Sequence, residues 1–254
     1  MMPARLSKNK LLQVLFQTPL ARDSPCTREV CLERGQMLLE KQTRIQHVYF
    51  PTTSVVSRIY LANCGHTSEM GMVGREGVVG ISLFLGDDRA TNEAIVHVSG
   101  TALRMEATAA LAAYEEHHDF RLALQRYTRA MISQISQVGV CNGLHSIEQR
   151  LSRWLLMTLD RKPTDEVGLS HHFIAQMLAV RRESITSALL HLRNKHLIRY
   201  DRSGIYIRDR AGLEAASCEC YDVITDEYAR LLDFTPSQVS IARVSRPLTP
   251  KSDA

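Results

Sequence analysis

The chain has 254 residues, a formal net charge of +4, 44% hydrophobic and 23% charged residues, a composition that excludes disorder as its default state. Because the net charge is modest, any nucleic-acid surface must come from local clusters of lysine and arginine. No run approaches the roughly 18 apolar residues of a spanning helix and the N-terminus lacks a secretion signal, so we expect a cytoplasmic protein with no membrane partner.

Residues 1–117 are predicted to form a β domain that includes a short N-terminal helix. Four β-prone runs are separated by turn residues: IQHVYFP, SVVSRIYL, TSEMGMVG and AIVHVSGTALRME. Several short strands of this kind indicate an antiparallel sandwich, roll or barrel. Within this region GMVGREGVVG carries glycine at positions 71, 74, 77 and 80, which raises the question of a phosphate-binding loop.

A long helix is predicted over residues 118–143, with Asp119 as its N-cap. One row of residues recurs at alternating spacings of four and three, which is the heptad pattern of paired helices. A second apolar row, Leu122, Ile132 and Ile135, indicates two partners, namely the β domain and a second copy of the chain. The alternative is a helix buried wholly in its own core. The heptad row is Phe120, Leu124, Tyr127, Met131, Gln134, Val138 and Cys141, of which Leu124, Tyr127, Met131, Gln134 and Val138 are the predicted dimerisation residues.

Residues 144–215 are predicted to form a winged helix-turn-helix domain, beginning with the helical pattern SIEQRLSRWLLMTLD. In the following stretch Ser170 can cap a first helix, and apolar or small residues occupy the positions where two helices cross closely. Ala179 stands at a turn position that favours glycine, and a left-handed backbone there costs about 1 to 2 kcal/mol. Two alternating strands around DRSG predict the wing. A C-terminal helix (216–235) and a disordered tail (236–254) complete the chain.

The second helix of this motif, about residues 181–194, carries the predicted DNA-reading surface. Its apolar residues share one face, whereas Glu183, Thr186 and Ser187 fall on the other. Arg181 and Arg182 stand at its N-terminal end, where a recognition helix meets base edges. Residues 168–210 hold eight lysines or arginines against three acids, so the phosphate-facing charge is present locally. A scaffold with a solvated basic face is the alternative, but it does not account for the wing.

The stretch IAQMLAVRRESITSALLHLRNKHLI resembles, without a gap, the reading motif of the Crp/Fnr family of bacterial transcription regulators. The resemblance covers nearly the whole chain and implies an α+β fold with a cyclic-nucleotide-binding-like β-roll, a dimerisation helix and a C-terminal winged helix-turn-helix. It implies a homodimer on a two-fold operator in double-stranded DNA, and contact with RNA polymerase. It places base contacts at Arg182, Glu183 and Ser187, and phosphate contacts at Ser170 and His171.

The same resemblance places an effector pocket around GREGVVGISLFLGDDRATNEAIVHV. In the family a short turn, an Arg and a Ser hold the phosphate of a cyclic nucleotide, and a Glu holds its ribose. Here Val78 stands at the Glu position and cannot accept from a hydroxyl, while Glu93 would repel a phosphate. Cyclic AMP is therefore not expected, and the effector stays unidentified. The candidate pocket residues are Gly77, Val78, Gly80, Arg89, Asn92 and Glu93.

The six cysteines predict neither a cofactor nor a metal site. Cys26 and Cys31 precede the roll without clustering, with Cys64 and Cys141 as further candidate ligands, so an iron–sulfur cluster is not expected. Cys218 and Cys220 lie two apart on the predicted helix AGLEAASCECYDVITDEYARLL, about 200° around its axis. Their sulfur atoms are therefore expected to diverge, and reduced thiols are expected throughout.

No catalytic constellation is present in the sequence, so an enzyme is not predicted. There is no phosphate-loop lysine motif, no nucleophile elbow and no helix with two metal-ligating histidines beside a glutamate. The leading hypothesis is a sequence-specific DNA-binding regulator. The alternative is a cyclic-nucleotide- or redox-responsive module that acts on a protein partner.

Overall fold

The computed structural model describes residues 9–16, 27–162, 166–201 and 204–232. The predicted tail over 236–254, Cys26 and Arg202 of the wing turn lie outside the described residues. The fold is α+β, with an N-terminal β-roll, a long helix and a C-terminal helix-turn-helix, as predicted.

The β-roll consists of two antiparallel sheets with strand orders β1-β7-β3 and β2-β6-β4-β5. A short helix, α1 (Lys10–Leu15), precedes them, and the side chain of its N-cap Asn9 accepts hydrogen bonds from the amides of Leu11 and Leu12. A 3-10 helix over Ile81–Leu85 lies between β5 and β6. The strands are β1 (Thr27–Leu32), β2 (Met37–Leu39), β3 (His47–Pro51), β4 (Val55–Leu61), β5 (Thr67–Val73), β6 (Glu93–Val98) and β7 (Gly100–Glu106).

Two helices follow the roll, α2 (Ala107–Glu116) and the long α3 (His118–Leu144). The N-cap of α3 is His117 rather than the predicted Asp119, which lies in the first turn of the helix. An acidic residue there still stabilises the helix, because it faces the positive end of the helix dipole.

The predicted heptad row of α3 is buried inside its own chain. The helix packs against α1, β5 and the C-terminal helix, and these elements cover the row from Phe120 to Cys141. The exposed apolar residues of α3 are instead Ile132, Val140 and Leu144. The prediction that the heptad row meets a second copy is therefore wrong for Leu124, Tyr127, Met131, Gln134 and Val138, each at most 6% exposed in the single chain.

Helix α4 (Ile147–Asp160) joins the roll to the C-terminal domain. Ser146 and Gln149 form a reciprocal capping box that defines its start. All residues from Arg150 to Leu159 are buried, and Ser152 Oγ and the Nε atoms of Arg150 and Arg153 have no hydrogen-bond partner among the described residues.

The C-terminal domain contains the helix pair α5 (His171–Met177) and α6 (Arg182–Asn194) and a small sheet of order β8-β10-β9. The remaining strands are β8 (Glu166–Val167), β9 (Ile198–Tyr200) and β10 (Ile205–Ile207). The predicted continuous C-terminal helix is wrong, because the chain forms α7 (Arg210–Ala215) and α8 (Cys220–Leu232) with a break between them. In that break Cys218 turns inward and is buried.

The glycines of GMVGREGVVG allow other parts of the chain to pack closely against this stretch. A Cβ atom at Gly77 would overlap the ring of Tyr127 on α3, and the Gly77 carbonyl accepts a hydrogen bond from the Asn9 side chain at 2.9 Å. Gly80 has a φ of +99°, a conformation that L side chains rarely adopt. The stretch thus lets helix α3 lie directly on the roll.

Candidate nucleic-acid interface and sensor cavity

The helix-turn-helix has the geometry that its sequence predicts. Ser170 caps α5 by accepting a hydrogen bond from the Phe173 amide at 3.2 Å. Ala179 has a φ of +51°, so the turn adopts the left-handed conformation that normally favours glycine. Beneath the turn, Ile174, Ile185 and Leu189 are fully buried and bring the two helices into contact.

The outward face of α6 presents charged groups without partners inside the described chain. Arg181, Arg182 and Glu183 are exposed, and their side chains form no ion pair or hydrogen bond with a described residue. Thr186 and Ser187 lie one turn further along the same face and are exposed as well. The arginine forks and the carboxylate are therefore free to meet an external ligand.

His171 joins the predicted DNA-binding residues of α5 to those of α6. Its Nδ1 lies 3.1 Å from the hydroxyl of Thr186. Burial, and then the positive charge of Arg182, lower the pKa of His171 below its ordinary value. A neutral ring that can form hydrogen bonds therefore stands beside the recognition helix at neutral pH.

The last turn of α6 and the wing add a second basic surface, in which arginine side chains lie over tyrosine rings of the wing. Arg193 lies 5.2 Å from the centroid of Tyr200, and Arg199 lies 4.4 Å from that of Tyr206. Such cation–π contacts orient the guanidinium groups, and Arg199 also pairs with Asp201 at 3.7 Å. The sequence analysis counted these arginines but did not identify their aromatic partners.

Where the resemblance places an effector, the structure has a cavity of about 20 Å³, which is room for roughly one water molecule. Three of the six predicted effector residues, Val78, Gly80 and Asn92, line it. Arg58 of β4 also lines it and was missed by the sequence analysis. Its guanidinium donates to Asn92 Oδ1 at 2.8 Å and to the sulfur of Met131. The cation in the cavity thus already has partners.

Three other predicted effector residues do not line this cavity. Gly77 faces Tyr127. Arg89 is exposed and donates to the Gln42 carbonyl at 2.8 Å. Glu93 points the other way because alternate residues of a strand face opposite sides of the sheet, and it lines a cleft of about 420 Å³ between the roll and α5.

A buried polar network connects the roll to α4. The indole of Trp154 donates to Glu69 Oε1 at 3.1 Å, and the hydroxyl of Ser57 donates to the second carboxylate oxygen. His97 lies 2.9 Å from the same hydroxyl and stacks on the indole with ring centroids 4.6 Å apart. Burial raises the pKa of Glu69 to about 7 and lowers that of His97 to about 3. This network fixes α4 on the roll.

A second group that the sequence analysis missed lies where α3 ends. Cys141, His145, Cys218 and Cys220 place their ligand atoms within 4.8 Å of one another, a group that could hold a metal ion. The hydrogen bond from Cys218, together with the charge of Arg153, lowers the pKa of the Cys141 thiol to about 4 against the effect of burial. The predicted divergence of Cys218 and Cys220 is wrong, because Cys218 precedes α8 instead of lying on it.

The spacings that could have identified this group are Cys141-x3-His145 and Cys218-x-Cys220. The first spacing brings two side chains to one face of a helix, and the second suits ligands at a turn.

Among the described residues, no helix combines the length and apolar character needed to cross a bilayer.

Residues 149–216 match the family of Crp-like helix-turn-helix domains. The structure is similar to that of FixK2 from Bradyrhizobium japonicum, with 15% identity and a TM-score of 0.65 over 76% of this chain and 98% of that one. It is also similar to a CRP-family transcriptional regulator from Thermus thermophilus, with 18% identity and a TM-score of 0.62 over 75% of this chain and 96% of that one. No curated protein matches the sequence.

Proposed function

We propose that the chain is a sequence-specific transcription regulator of the Crp/Fnr type that inserts α6 into the major groove of DNA, because residues 149–216 match Crp-like helix-turn-helix domains. The observation that carries this proposal is the exposed face of α6, where Arg181, Arg182 and Glu183 have no partner among the described residues. A bidentate arginine suits guanine, and a carboxylate accepts from cytosine.

The remaining predicted contacts support the same docking. The exposed Thr186 and Ser187 extend the proposed reading face, and Ser170 and His171 at the start of α5 are the proposed phosphate contacts. The hydroxyl of Ser170 accepts from the Phe173 amide and keeps its own proton for a phosphate oxygen. The arginines of the wing add affinity that does not depend on sequence.

We further propose that the protein binds a two-fold operator as a homodimer, through the exposed face of α3 instead of the predicted heptad row. Ile132 is 57% exposed and Leu144 is 77% exposed in the single chain. Between them, Gly139 and Gly143 face open space, so a second helix can approach closely. A second copy would cover the apolar side chains that the chain itself leaves exposed.

The effector is proposed to be something other than a cyclic nucleotide. The cavity lined by Val78 and Asn92 encloses about 20 Å³, and Arg58, which also lines it, pairs with Asn92 and Met131. None of the described residues that line it carries a carboxylate to receive a ribose, and Glu93 faces the opposite side of the sheet. Contact with RNA polymerase and the absence of enzymatic activity stay predictions from the family.

A selection experiment tests the DNA proposal. Duplexes that the purified protein retains from a random pool are sequenced, and the affinity for the selected duplex is compared with that for a scrambled one over a salt series. We expect the selected site to be a two-fold repeat and to bind at least about 10³-fold more tightly than the scrambled duplex. Equal affinities with parallel salt slopes would show charge attraction alone and refute the proposal. Retention of a protein partner without DNA preference would favour the regulatory-module alternative.

A further inference from the structure

Two distant parts of the chain bring four metal-binding side chains together at the end of α3. Cys141 lies in the last turn of α3, and His145 is the residue that ends the helix. Cys218 and Cys220 come from the junction of α7 and α8. The three cysteines are at most 5% exposed, and the side chain of His145 is 13% exposed.

The distances within this group suit a single tetrahedral ion. Cys141 Sγ lies 3.5 Å from Cys218 Sγ, and Cys220 Sγ lies 3.4 Å from His145 Nδ1. A tetrahedral Zn²⁺ ion with ligands at roughly 2.0 to 2.3 Å holds neighbouring ligand atoms about 3.5 to 3.8 Å apart. A multinuclear cluster would need its ligands further apart, because several metal atoms would stand between them.

The surrounding residues are those that a metal-bound histidine and thiolate require. Glu219 Oε1 lies 3.2 Å from His145 Nε2, so the carboxylate can hold the proton on Nε2 and leave the lone pair of Nδ1 facing the sulfur atoms. Gln137 Nε2 donates to Cys220 Sγ at 3.2 Å. Buried Arg153, whose charge acts on Cys141, has an Nε atom without a partner. Its positive charge balances the net negative charge of three thiolates and one divalent ion.

We propose that Cys141, His145, Cys218 and Cys220 bind one thiophilic divalent metal ion of the Zn²⁺ type in a closed, structural Cys3His site. Thiolate and imidazole ligands select such an ion over Mg²⁺ or Ca²⁺. The site joins the end of α3 to the α7–α8 junction, and thereby bridges the connection at His145 and Ser146 where α3 gives way to α4. The ion therefore fixes the DNA-binding domain on the long helix. The proposal does not depend on DNA binding.

Metal analysis of the reduced full-length protein tests the site. Protein stripped with a chelator is reloaded with Zn²⁺ alone, freed of excess metal and weighed by native mass spectrometry, with one ion expected per chain. Loading with Co²⁺ is expected to give the intense visible and charge-transfer bands of a tetrahedral thiolate complex. No retained ion, or the weak spectrum of an octahedral cobalt complex, would overturn the proposal.

Matched variants identify the ligands. Cys220→Ser should weaken Zn²⁺ binding at least about 100-fold, since loss of outer partners alone costs 10- to 100-fold. The control is Cys64→Ser, because Cys64 also lies beside a histidine, with its sulfur 3.3 Å from His66 Nδ1, but is exposed and outside the group. It should retain one ion per chain. Equal binding by both variants would refute the assignment.

Substitutions of the buried ligands can prevent folding, so a variant at an exposed position gives an independent test of the site. Glu219→Gln changes a side chain that is 70% exposed, so the fold should persist while the affinity for Zn²⁺ falls about 10-fold or more. Unchanged affinity would argue against the proposed role of His145. A disulfide between Cys141 and Cys218 in protein isolated anaerobically, detected as the loss of two hydrogens, would overturn the metal site in favour of a redox pair.

Discussion

The resemblance assigns ligand contacts both to the outer face of α6 and to the cavity lined by Val78 and Asn92, yet the polar groups of these two regions differ in their partners. On α6 the side chains of Arg181 and Arg182 have no partner among the described residues. In the cavity Arg58 is engaged by Asn92 and Met131, and little space is left. Exposed charged side chains that only solvent satisfies are available to an external ligand, whereas the polar groups of the cavity already satisfy one another.

The largest effect is expected at Met131, which is buried and contacts Arg58 of the cavity. Met131→Lys places a second cation at this buried position beside the partly buried Arg58 and should lower the free energy of unfolding by about 3 to 5 kcal/mol. The control is Ile132→Lys, one residue along, which should change monomer stability by only about 0.5 kcal/mol but weaken self-association. Urea denaturation and analytical ultracentrifugation check the two effects. Monomers from Met131→Lys with unchanged stability would restore the heptad row as the dimer interface.

The next effect concerns pH and the network between the roll and α4. The pKa of Glu69 is about 7 in the folded chain and lies near 4.5 when exposed, so the folded state binds the extra proton. The stability from this group is therefore full below about pH 4.5 and is lost as pH rises through 7, by about 3 kcal/mol. The difference in unfolding free energy between wild type and Glu69→Gln, measured from pH 5 to 8, should show this decline.

His97 is present in both proteins, so its contribution to the pH dependence of the unfolding free energy is largely removed when the two curves are subtracted. Because its folded pKa is about 3, His97 contributes stability that is present above pH 6.5 and lost as pH falls toward 3. Parallel stability curves for wild type and Glu69→Gln would mean that Glu69 stays ionised in the folded chain, and that the network holds α4 as an ionic rather than a neutral contact.

A smaller effect is expected on α6, where the groups are free. Arg182→Ala should reduce discrimination at one base pair of each half-site by about 1 to 3 kcal/mol, measured with single-base operator variants. Arg44→Ala is the control, because it removes the same charge from the roll, where Arg44 pairs with Asp88 at 2.7 Å. A uniform loss across all sequences would show that Arg182 contacts only phosphate.

The smallest effect is expected from cyclic nucleotides. A ligand at 100 times its Kd stabilises a folded protein by about 2.7 kcal/mol. Because Arg58 and Asn92 satisfy each other, we expect cyclic AMP and cyclic GMP to leave the thermal midpoint unchanged. A rise of the thermal midpoint that depends on nucleotide concentration and is abolished by Arg58→Met would show that the cavity opens to bind the ligand. It would contradict the conclusion that the polar groups of the cavity have only a structural role.

The helix-turn-helix could be predicted because its determinants are local. The positions of Ser170, Ala179 and Ile185 follow from spacing within one short stretch, and each has the predicted cap, turn or core role. The heptad row failed for a different reason. A periodic pattern shows which face of a helix is apolar, but β5 and α8, which cover the row around Gln134, come from distant parts of the sequence.

The arrangement of the cysteines could not be predicted either, because it also depends on contacts between distant parts of the sequence. Cys218 and Cys220 diverge on a continuous helix, but α8 begins only at Cys220, and this break turns Cys218 toward Cys141. Arg58 could not be identified from the sequence either, because the stretch SVVSRIYL does not indicate that Arg58 on β4 contacts Met131 on α3.

The sequence by itself determined an antiparallel β domain, the long helix and the reading motif, since these depend on periodicity, capping and turn chemistry within short windows. Only the tertiary structure decided which partner covers each face of α3, which cavity residues satisfy one another, and which cysteines meet. These outcomes depend on contacts between residues far apart in the chain, and local patterns carry no information about which distant surface will fill a given face.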